Sequence, residues 1–276
     1  MSLWQAALIL VVADSAAIAA MLLVRRRAPA GSYFKDTSEA AGVFAAAGTT
    51  FAVLVAFTFL LAFESYDDAR NSSEEEAIAV VTLFHTAEFF GSAARDDLQR
   101  DLVCYGRAVI HSEWPAMRRN RRSPLVDGWV SRLERRFQRV GGNNETVGAA
   151  IQNWFNQTDA RQTARRKRLA EAAPFVPHTV WFFLILGGLL EIGFVLFFAD
   201  NTERVAAQAM LVSAVTVFVV ASLVMIHLLD TPYTEQSGSV EPTAMAQSLR
   251  SIELERRSRH TTGALPCDPG GRPAPA

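Results

Sequence analysis

Four long apolar segments constrain the fold of this chain more than any other feature of its sequence. A helix needs about 20 mostly apolar residues to cross roughly 30 Å of hydrocarbon, and residues 3–24, 41–63, 178–199 and 205–229 each meet that requirement. The first segment is too long for a cleaved signal peptide and no basic residue precedes it, so we interpret it as a retained helix. The sequence therefore predicts a protein that crosses a membrane four times.

The apolar segments form two pairs, and these pairs divide the chain. A long polar stretch separates the pairs, and a tail follows the last apolar segment. The tail closes with TTGALPCDPGGRPAPA, whose proline and glycine content predicts disorder from about residue 261 onward. The predicted divisions are residues 1–63 with the first two membrane helices, 64–173 as an extramembrane domain, 174–229 with the last two membrane helices, and 230–276 as the tail.

Charge does not fix the side of the membrane on which the extramembrane domain lies. Arg25, Arg26 and Arg27 follow the first apolar segment, and the run RRKR at residues 165–168 precedes the third. The two sides of the bilayer therefore score about equally under the positive-inside rule. The arginine content of the extramembrane domain weakly favours the cytoplasm.

The extramembrane domain has the apolar spacing of helices throughout. Apolar residues recur at intervals of three and four from residue 69 onward, and no stretch alternates as a strand would. We expect Pro115, in EWPAM, to end one of these helices, and Ser123 with Pro124 to begin the next. The sequence therefore predicts an all-α protein.

Charge is divided unequally along this domain. Residues 64–112 carry ten acidic and four basic side chains, whereas residues 113–172 carry six acidic and thirteen basic ones. The two halves could pair with each other across a helical hairpin, or an acidic surface at residues 64–76 could attract ions towards the membrane. The sequence leaves both interpretations open.

No motif of an enzyme is present, and we expect neither catalysis nor a cofactor. The sequence has no P-loop, nucleophile elbow, HExxH or glycine-rich dinucleotide turn, and its five histidines are scattered singly, so no metal site is expected. A formal net charge of −1 leaves no excess of basic residues for a nucleic acid. Cys104 and Cys267 lie far apart, so we expect no structural disulfide and interpret Cys104 as a small packing residue.

Three ionisable residues fall inside the apolar segments, namely Asp14, Glu191 and His227. Ionisable groups at that depth are costly and commonly face protein or water, so each is a functional candidate. Glu191 has a second interpretation, as a neutral side chain that is hydrogen-bonded to a neighbouring helix. Asp14 and Glu191 could share a proton or bind a cation only if their helices touch.

The second apolar segment continues into acidic sequence without a helix breaker. The stretch VFAAAGTTFAVLVAFTFLLAFESYDDARNSSEEEA, residues 43–77, has no proline and no glycine after Gly48, which predicts one rigid helix from the membrane into water. Six of its residues fall within about 40° of one line along the helix, as in a pore helix with an apolar constriction and a charged mouth. Ordinary packing, with Gly48 permitting a close approach, is the competing interpretation. The six residues are Thr50, Leu54, Phe57, Leu61, Glu64 and Asp68.

A family resemblance rests on five segments that follow one another across about residues 40–250: AAGVFAAAGTTFAVLVAFTFLLAFESYDDARNSSEEEA, YGRAVIHSEWPAM, SPLVDGWVSRL, VWFFLILGGLLEIGFVLFF and LLDTPYTEQSGSVEPTAM. Together they resemble the bacterial DUF4239 proteins, often called bestrophin-like domain proteins. The resemblance implies the architecture of bestrophins, which are pentameric anion channels with four spans per subunit, a hydrophobic neck lined by the second helix, and a helical cytosolic domain.

The chain departs from that family in two places. The exit of the fourth span commonly reads Asp-x-Pro-Phe-x-Gly in the family, whereas here the residues from Asp230 to Glu235 lack the glycine. Glu191 stands where an uncharged residue is expected. The first departure bears on how the tail docks, and the second bears on ion preference.

These observations lead to one functional hypothesis and one alternative. The hypothesis is an oligomeric ion channel of the bacterial inner membrane, in contact with lipid, in which Leu54, Phe57 and Leu61 form the constriction while Glu64 and Asp68 form the mouth. An acidic mouth attracts cations, so the sign of the permeant ion stays open. The alternative is a non-conducting membrane scaffold or sensor that binds a protein partner through its helical domain.

Overall fold

The computed structural model describes residues 1–27, 37–141, 144–198, 203–259 and 263–274. These residues are largely helical and contain no β-strand, which confirms the all-α prediction. The loop at 28–36 and the predicted end of the third membrane segment at residue 199 lie outside this part of the chain. The helices are α1 (Leu3–Arg27), α2 (Thr37–Thr86), α3 (Ser92–Ala108), α4 (Trp114–Met117), α5 (Pro124–Phe137), α6 (Glu145–Ala170), α7 (His178–Phe197), α8 (Val205–Asp230) and α9 (Thr243–Ser258), with a 3₁₀ turn at Ala87–Phe89 and a π-helical segment at Val109–Glu113.

Four of these helices are long and apolar enough to cross a membrane, namely α1, α2, α7 and α8. Helix α2 has 50 residues, which at 1.5 Å per residue gives it a length of about 75 Å. It passes through the acidic sequence after residue 63 without a break, as the lack of a proline predicts. The prediction of four membrane helices is confirmed.

The chain divides into two compact units, which we call the membrane unit and the helical unit. The membrane unit contains residues 1–66 and 174–239, and the helical unit contains residues 67–173 and 240–276. The segment that the sequence assigns to a tail is therefore shared between the two units. Its helix α9 belongs to the helical unit.

Small residues set the packing of the membrane unit. Ala17 and Met21 of α1 are buried against Val212 of α8. Gly188 of α7 is so close to α8 that a Cβ atom added to it would lie 2.7 Å from Val219 Cγ1. Lipid tails are as apolar as the side chains, so the hydrophobic effect does not drive helices together within a membrane. Close van der Waals packing of this kind stabilises their association instead.

Aromatic rings fill one side of the helical unit. Phe137 of α5 and Trp154 of α6 stack with ring centroids 5.1 Å apart, and Phe90 packs edge-on against Trp154 at 5.8 Å. Leu98 and Leu102 of α3 are fully buried. This core packs α3, α5 and α6 together, so that charged side chains of these helices lie within contact distance of one another.

The expectation that Pro115 ends a helix is wrong. The backbone widens into the π-helical segment Val109–Glu113 and then continues as α4 through Met117. Proline lacks an N–H donor, and its ring clashes with the carbonyl four residues earlier in an ordinary α-helix. A π turn upstream widens the helix at that point, and its last residue, Glu113, is buried.

The expectations for the two cysteines and for the end of the tail are also wrong. Cys104 and Cys267 form a disulfide across 163 positions of sequence. Residues 263–274, for which the sequence predicts disorder, pack against α3 and α5, and Trp129 Nε1 donates to Gly271 O at 2.7 Å. Gly271 has a φ of 77°, and a Cβ atom there would lie 2.3 Å from the backbone nitrogen of Ala108. Only glycine allows this approach.

Candidate functional site

One face of α2 packs inside the membrane unit. Thr58 and Ala62 are buried, and Val55 packs with Ala62 into an apolar cluster that contains Leu184 of α7 and Ile226 of α8. The hydroxyl of Thr58 donates to the carbonyl of Leu54 at 2.9 Å, so it is satisfied within its own helix. These contacts fix the rotation of α2 about its axis within the unit.

The six residues predicted to line a pore lie on another face of α2 and are all exposed. Leu54 has an exposed fraction of 37%, Phe57 of 65% and Leu61 of 45%. At 100° per residue, their line is turned by roughly 100° from the buried face. No other helix of the chain covers them among the residues that the structure describes. Thr50, Glu64 and Asp68 share this exposed character.

Glu191 is the intramembrane carboxylate with a defined neighbour. It lies on α7 with an exposed fraction of 7%, and its Oε2 is 3.3 Å from the position of a Cβ atom added to Gly48 of α2. Gly48 thus provides the space in which this side chain lies against α2. The interpretation of Gly48 as a site of close approach agrees with this contact.

Asp14 and His227 occupy different surroundings. Asp14 Oδ1, on α1, is buried without a hydrogen-bond partner among the described residues, and the same holds for Thr216 Oγ1 on α8. Asp14 lies one turn from Ala17 of the packed α1–α8 interface, which places it at that interface. His227 is exposed on α8, with its ring edge-on to Trp181 at a centroid distance of 6.1 Å.

The end of α8 holds the start of α7 in spite of the missing glycine. Asp230 Oδ1 accepts the backbone N–H of Val176 at 2.7 Å, and its Oδ2 accepts Trp181 Nε1 at 3.3 Å. Gln236 Nε2 donates to the carbonyls of Leu228 and Thr231 at 2.7 and 2.8 Å. Side-chain hydrogen bonds therefore close this turn.

The helical unit contains a buried ionic network that the sequence analysis did not identify. Arg168 Nε donates to Glu76 Oε2 at 2.6 Å, and its Nη2 donates to Glu113 Oε2 at 2.7 Å. Arg165 Nη2 donates to Glu113 Oε1 at 2.5 Å and to Asp127 Oδ1 at 2.8 Å. Glu76 and Glu113 are 1% and 0% exposed, so these are desolvated charges that depend on one another.

Burial and pairing shift the pKa values in this network in opposite directions. Burial alone raises the pKa of Glu113, but the hydrogen bonds and positive charges of Arg165 and Arg168 hold it below its usual range. The pKa of Tyr105 is raised by burial and by the negative charge of Glu76, whose Oε1 accepts the phenol proton at 2.5 Å. At neutral pH the carboxyl group of Glu113 is therefore ionised and the phenol of Tyr105 is neutral.

The network supports the first interpretation of the charge pattern, in which the two halves of the domain pair with each other. Glu76 and Asp101, from the acidic half of the domain, bind arginines from the basic half, and Asp101 lies 2.8 Å from Arg136 Nε. Burial raises the pKa of Asp101, although Arg132 and Arg136 oppose that effect. The halves pair with each other, and Glu76 belongs to this core rather than to an acidic surface. Other acidic residues of α2, including Glu64 and Asp68, are exposed.

The described residues contain no group of three or more His, Cys, Asp and Glu side chains arranged to hold a metal ion. The cysteines are joined in the disulfide. Each of the two units has one feature with a possible function. The membrane unit has an exposed apolar line on α2, and the helical unit has buried arginines.

Known proteins share this architecture. The profile of the Bestrophin-like domain matches residues 12–245. A crystallised variant of a bacterial bestrophin homologue from Klebsiella pneumoniae is 13% identical with a TM-score of 0.67, over 92% of this chain and 98% of that chain. A second variant of a Klebsiella pneumoniae homologue is 13% identical with a TM-score of 0.66, over 92% of this chain and 98% of that chain. A crystallised membrane protein variant is 13% identical with a TM-score of 0.64, over 89% of this chain and 97% of that chain.

Identities of this size establish a likeness of fold alone. No curated protein matches the sequence. The matched profile covers most of the chain, including the four helices that are able to span a membrane. This chain, a multi-pass membrane protein, belongs to the Bestrophin-like domain family.

Proposed function

We propose that the chain is one subunit of a homo-oligomeric ion channel. Residues Thr50, Leu54, Phe57 and Leu61 of α2 line its neck, and Glu64 and Asp68 line its mouth. One observation carries the proposal: three large apolar side chains follow one line of α2 and stay exposed, while a different face of the same helix holds it in the membrane unit. A symmetric assembly with this line turned to its axis forms a narrow apolar passage.

A neck of this composition controls conduction by dewetting. A short ring of Leu and Phe side chains excludes water when the passage is narrow, and an ion that must lose its hydration cannot pass. The acidic residues beyond it concentrate cations near the mouth. The charge of the permeant ion is therefore left open, and the flux experiment described below measures it.

The remaining parts of the proposal follow from the family and from composition. The bacterial homologues support a place in the bacterial inner membrane, with lipid against the outer faces of the spanning helices. The five segments across about residues 40–250 that resemble DUF4239 proteins support the narrower DUF4239 assignment within the family. We assign the chain no catalytic role, and we regard Asp14 and Glu191 as groups that tune the bundle rather than as reacting groups.

The test compares two phenylalanines of α2 that face different directions. Phe57→Ala removes a side chain of the proposed neck, and Phe59→Ala removes one that is 40% exposed and turned away by about 160°. Purified wild type and both variants are placed in liposomes under separate chloride and potassium gradients. We expect faster flux for Phe57→Ala and wild-type flux for Phe59→Ala, and the gradient that dissipates identifies the ion.

Two results would contradict the proposal. Equal changes in flux for both variants would mean that the line through Phe57 has no special role in conduction. No flux from any of the three proteins, with a folded oligomer confirmed, would favour the non-conducting scaffold or sensor.

A further inference from the structure

The helical unit has a partly open cavity of about 270 Å³, lined by residues of α2, α5 and α6. The surface of its walls is mainly apolar and includes three aromatic rings. Trp154 and Phe137 stack nearly parallel, with an interplanar angle of 9°, and Phe155 meets Phe137 edge-on at a centroid distance of 5.2 Å. Leu83 and Leu133 complete the apolar lining. Such walls favour a flat apolar group, because aromatic rings attract one another at these separations beyond the effect of burial.

Arg161 also lines this cavity, and its guanidinium has unused hydrogen-bond donors. The residue is 1% exposed, and neither Nε nor Nη1 has a hydrogen-bond partner among the described residues. Its guanidinium carbon lies 4.7 Å from the centroid of the Tyr105 ring. A ring face attracts a cation, but it accepts none of the in-plane N–H groups in the way that a carboxylate does.

The neighbouring carboxylates are already bound to other donors. Glu76 accepts from Tyr105 and Arg168, and Glu113 accepts from Arg165 and Arg168. Arg165 and Arg168 thus have carboxylate partners, while Arg161 has no carboxylate within hydrogen-bonding distance among the described residues. A buried guanidinium with unmade hydrogen bonds is costly, and an anion inside the cavity would remove that cost.

We propose that this cavity is a binding site for a small aromatic monocarboxylate. The ring of the ligand lies against Phe137, Trp154 and Phe155, and its carboxylate accepts from Arg161, whose planar fork suits that group. The volume is below the range of sites for drug-sized ligands, which sets an upper limit on ligand size. Glu134, exposed at the rim and bound to Gln162 at 3.2 Å, disfavours a second negative charge on the ligand.

The test uses the full-length protein in detergent and two probes of nearly the same shape. Isothermal titration calorimetry measures the affinity for 3-phenylpropionate and for its neutral amide, 3-phenylpropionamide. A hydrogen bond to a charged group predicts that the carboxylate binds roughly 10- to 100-fold more tightly than the amide. This comparison needs no variant and does not depend on ion conduction.

Three variants assign the preference to the buried arginine. Arg161→Gln should abolish the preference for the carboxylate, and Arg161→Lys should retain part of it. Arg166→Gln changes the net charge equally on the same helix, but its side chain is exposed and does not line the cavity, so binding should be unchanged.

Several results would overturn the proposal. Equal affinities of the wild type for the acid and the amide would show a purely apolar pocket. Failure of the wild type to bind either probe at millimolar concentration would show that the cavity takes no ligand of this class. Binding of the carboxylate by folded Arg161→Gln at wild-type strength would remove Arg161 from the site.

Discussion

Replacing Glu113 by glutamine is the sharpest test of the buried network. The carboxylate accepts from Nε and Nη2 of Arg165 and from Nη2 of Arg168, and it is 0% exposed. In the variant, the one carboxylate left to Arg165 among the described residues is that of Asp127, whose side chain is 46% exposed, and the one left to Arg168 is that of Glu76. The new amide would also turn its NH₂ group towards one of the guanidinium donors.

The expected cost follows from burial. Removing one partner of a buried ion pair lowers the free energy of unfolding by about 3–5 kcal/mol, because the other charge remains desolvated. With a denaturant slope of about 2 kcal/mol per M of urea, the midpoint of unfolding should fall by roughly 1.5–2.5 M. Tryptophan fluorescence can follow the transition, because Trp114 lies under the guanidinium of Arg168 at 4.9 Å.

Glu74→Gln is the matched control for this measurement. Glu74 pairs with Arg70 at 3.2 Å on the surface of α2, where the two side chains are 50% and 65% exposed. Exposed pairs contribute about 0–1 kcal/mol, so the urea midpoint should barely move. A Glu113→Gln midpoint within the range of the Glu74→Gln control would refute the reasoning, since the buried charge would then contribute no more than an exposed one.

Three further predictions also concern stability, two of them measured by urea unfolding and one by thermal unfolding. Glu113 has a folded-state pKa below its unfolded value, so its contribution is fully present above the unfolded pKa of about 4.3 and is lost as the pH falls through the folded pKa. The urea midpoint of the wild type should therefore fall on acidification, and that of Glu113→Gln should fall less; parallel curves would contradict the assignment. Cys267→Ser opens a loop of 163 residues and should cost at most about 5 kcal/mol. A reducing agent should lower the wild-type midpoint towards that of the variant and leave the variant unchanged, whereas a reductant-insensitive wild type would show that the disulfide is absent. Gly188→Ala should lower the thermal stability of the membrane unit by about 1–3 kcal/mol, because the new Cβ would lie 2.7 Å from Val219 Cγ1. Gly193→Ala on the same helix meets nothing within 4 Å and should be close to neutral, and equal effects of the two variants would contradict the packing argument.

The membrane helices and the continuity of α2 from the apolar into the acidic sequence could be predicted because their signals are local. A run of apolar residues long enough to cross a bilayer is visible in one window of sequence, and the absence of proline from residues 43–77 predicts that the helix continues without a break. The exposure of Leu54 and Phe57 agrees with the predicted line but does not identify what covers it. Their role in a neck stays a prediction.

The buried network and the disulfide depend on contacts between distant parts of the chain. Glu76 lies 92 positions from Arg168, and Cys104 lies 163 positions from Cys267, so no spacing rule connects them. One local signal was present. Glu76 falls on the apolar stripe that runs from Ala69 along α2, where a carboxylate must be paired in order to be buried.

The π-helical segment shows a different limit of sequence reasoning. Pro115 is a helix breaker by its local chemistry, and that rule considers only the α-helical hydrogen-bond pattern. The chain instead widens over Val109–Glu113. The gain lies in tertiary contacts, because the buried carboxylate of Glu113 accepts hydrogen bonds from Arg165 and Arg168 of α6.

The division of the helical unit into two sequence segments has a consequence for the order of biosynthesis. Residues 67–173 leave the ribosome before α7 and α8, whereas residues 240–274, which supply α9, Cys267 and the carbonyl of Gly271, are made after both. The unit therefore cannot complete its core during its own translation. It waits with Cys104 unpaired and the indole of Trp129 without its acceptor until two further membrane helices have been inserted. A nascent chain that stalls in that interval exposes this unfinished surface, which quality-control proteases and chaperones can distinguish from the completed protein.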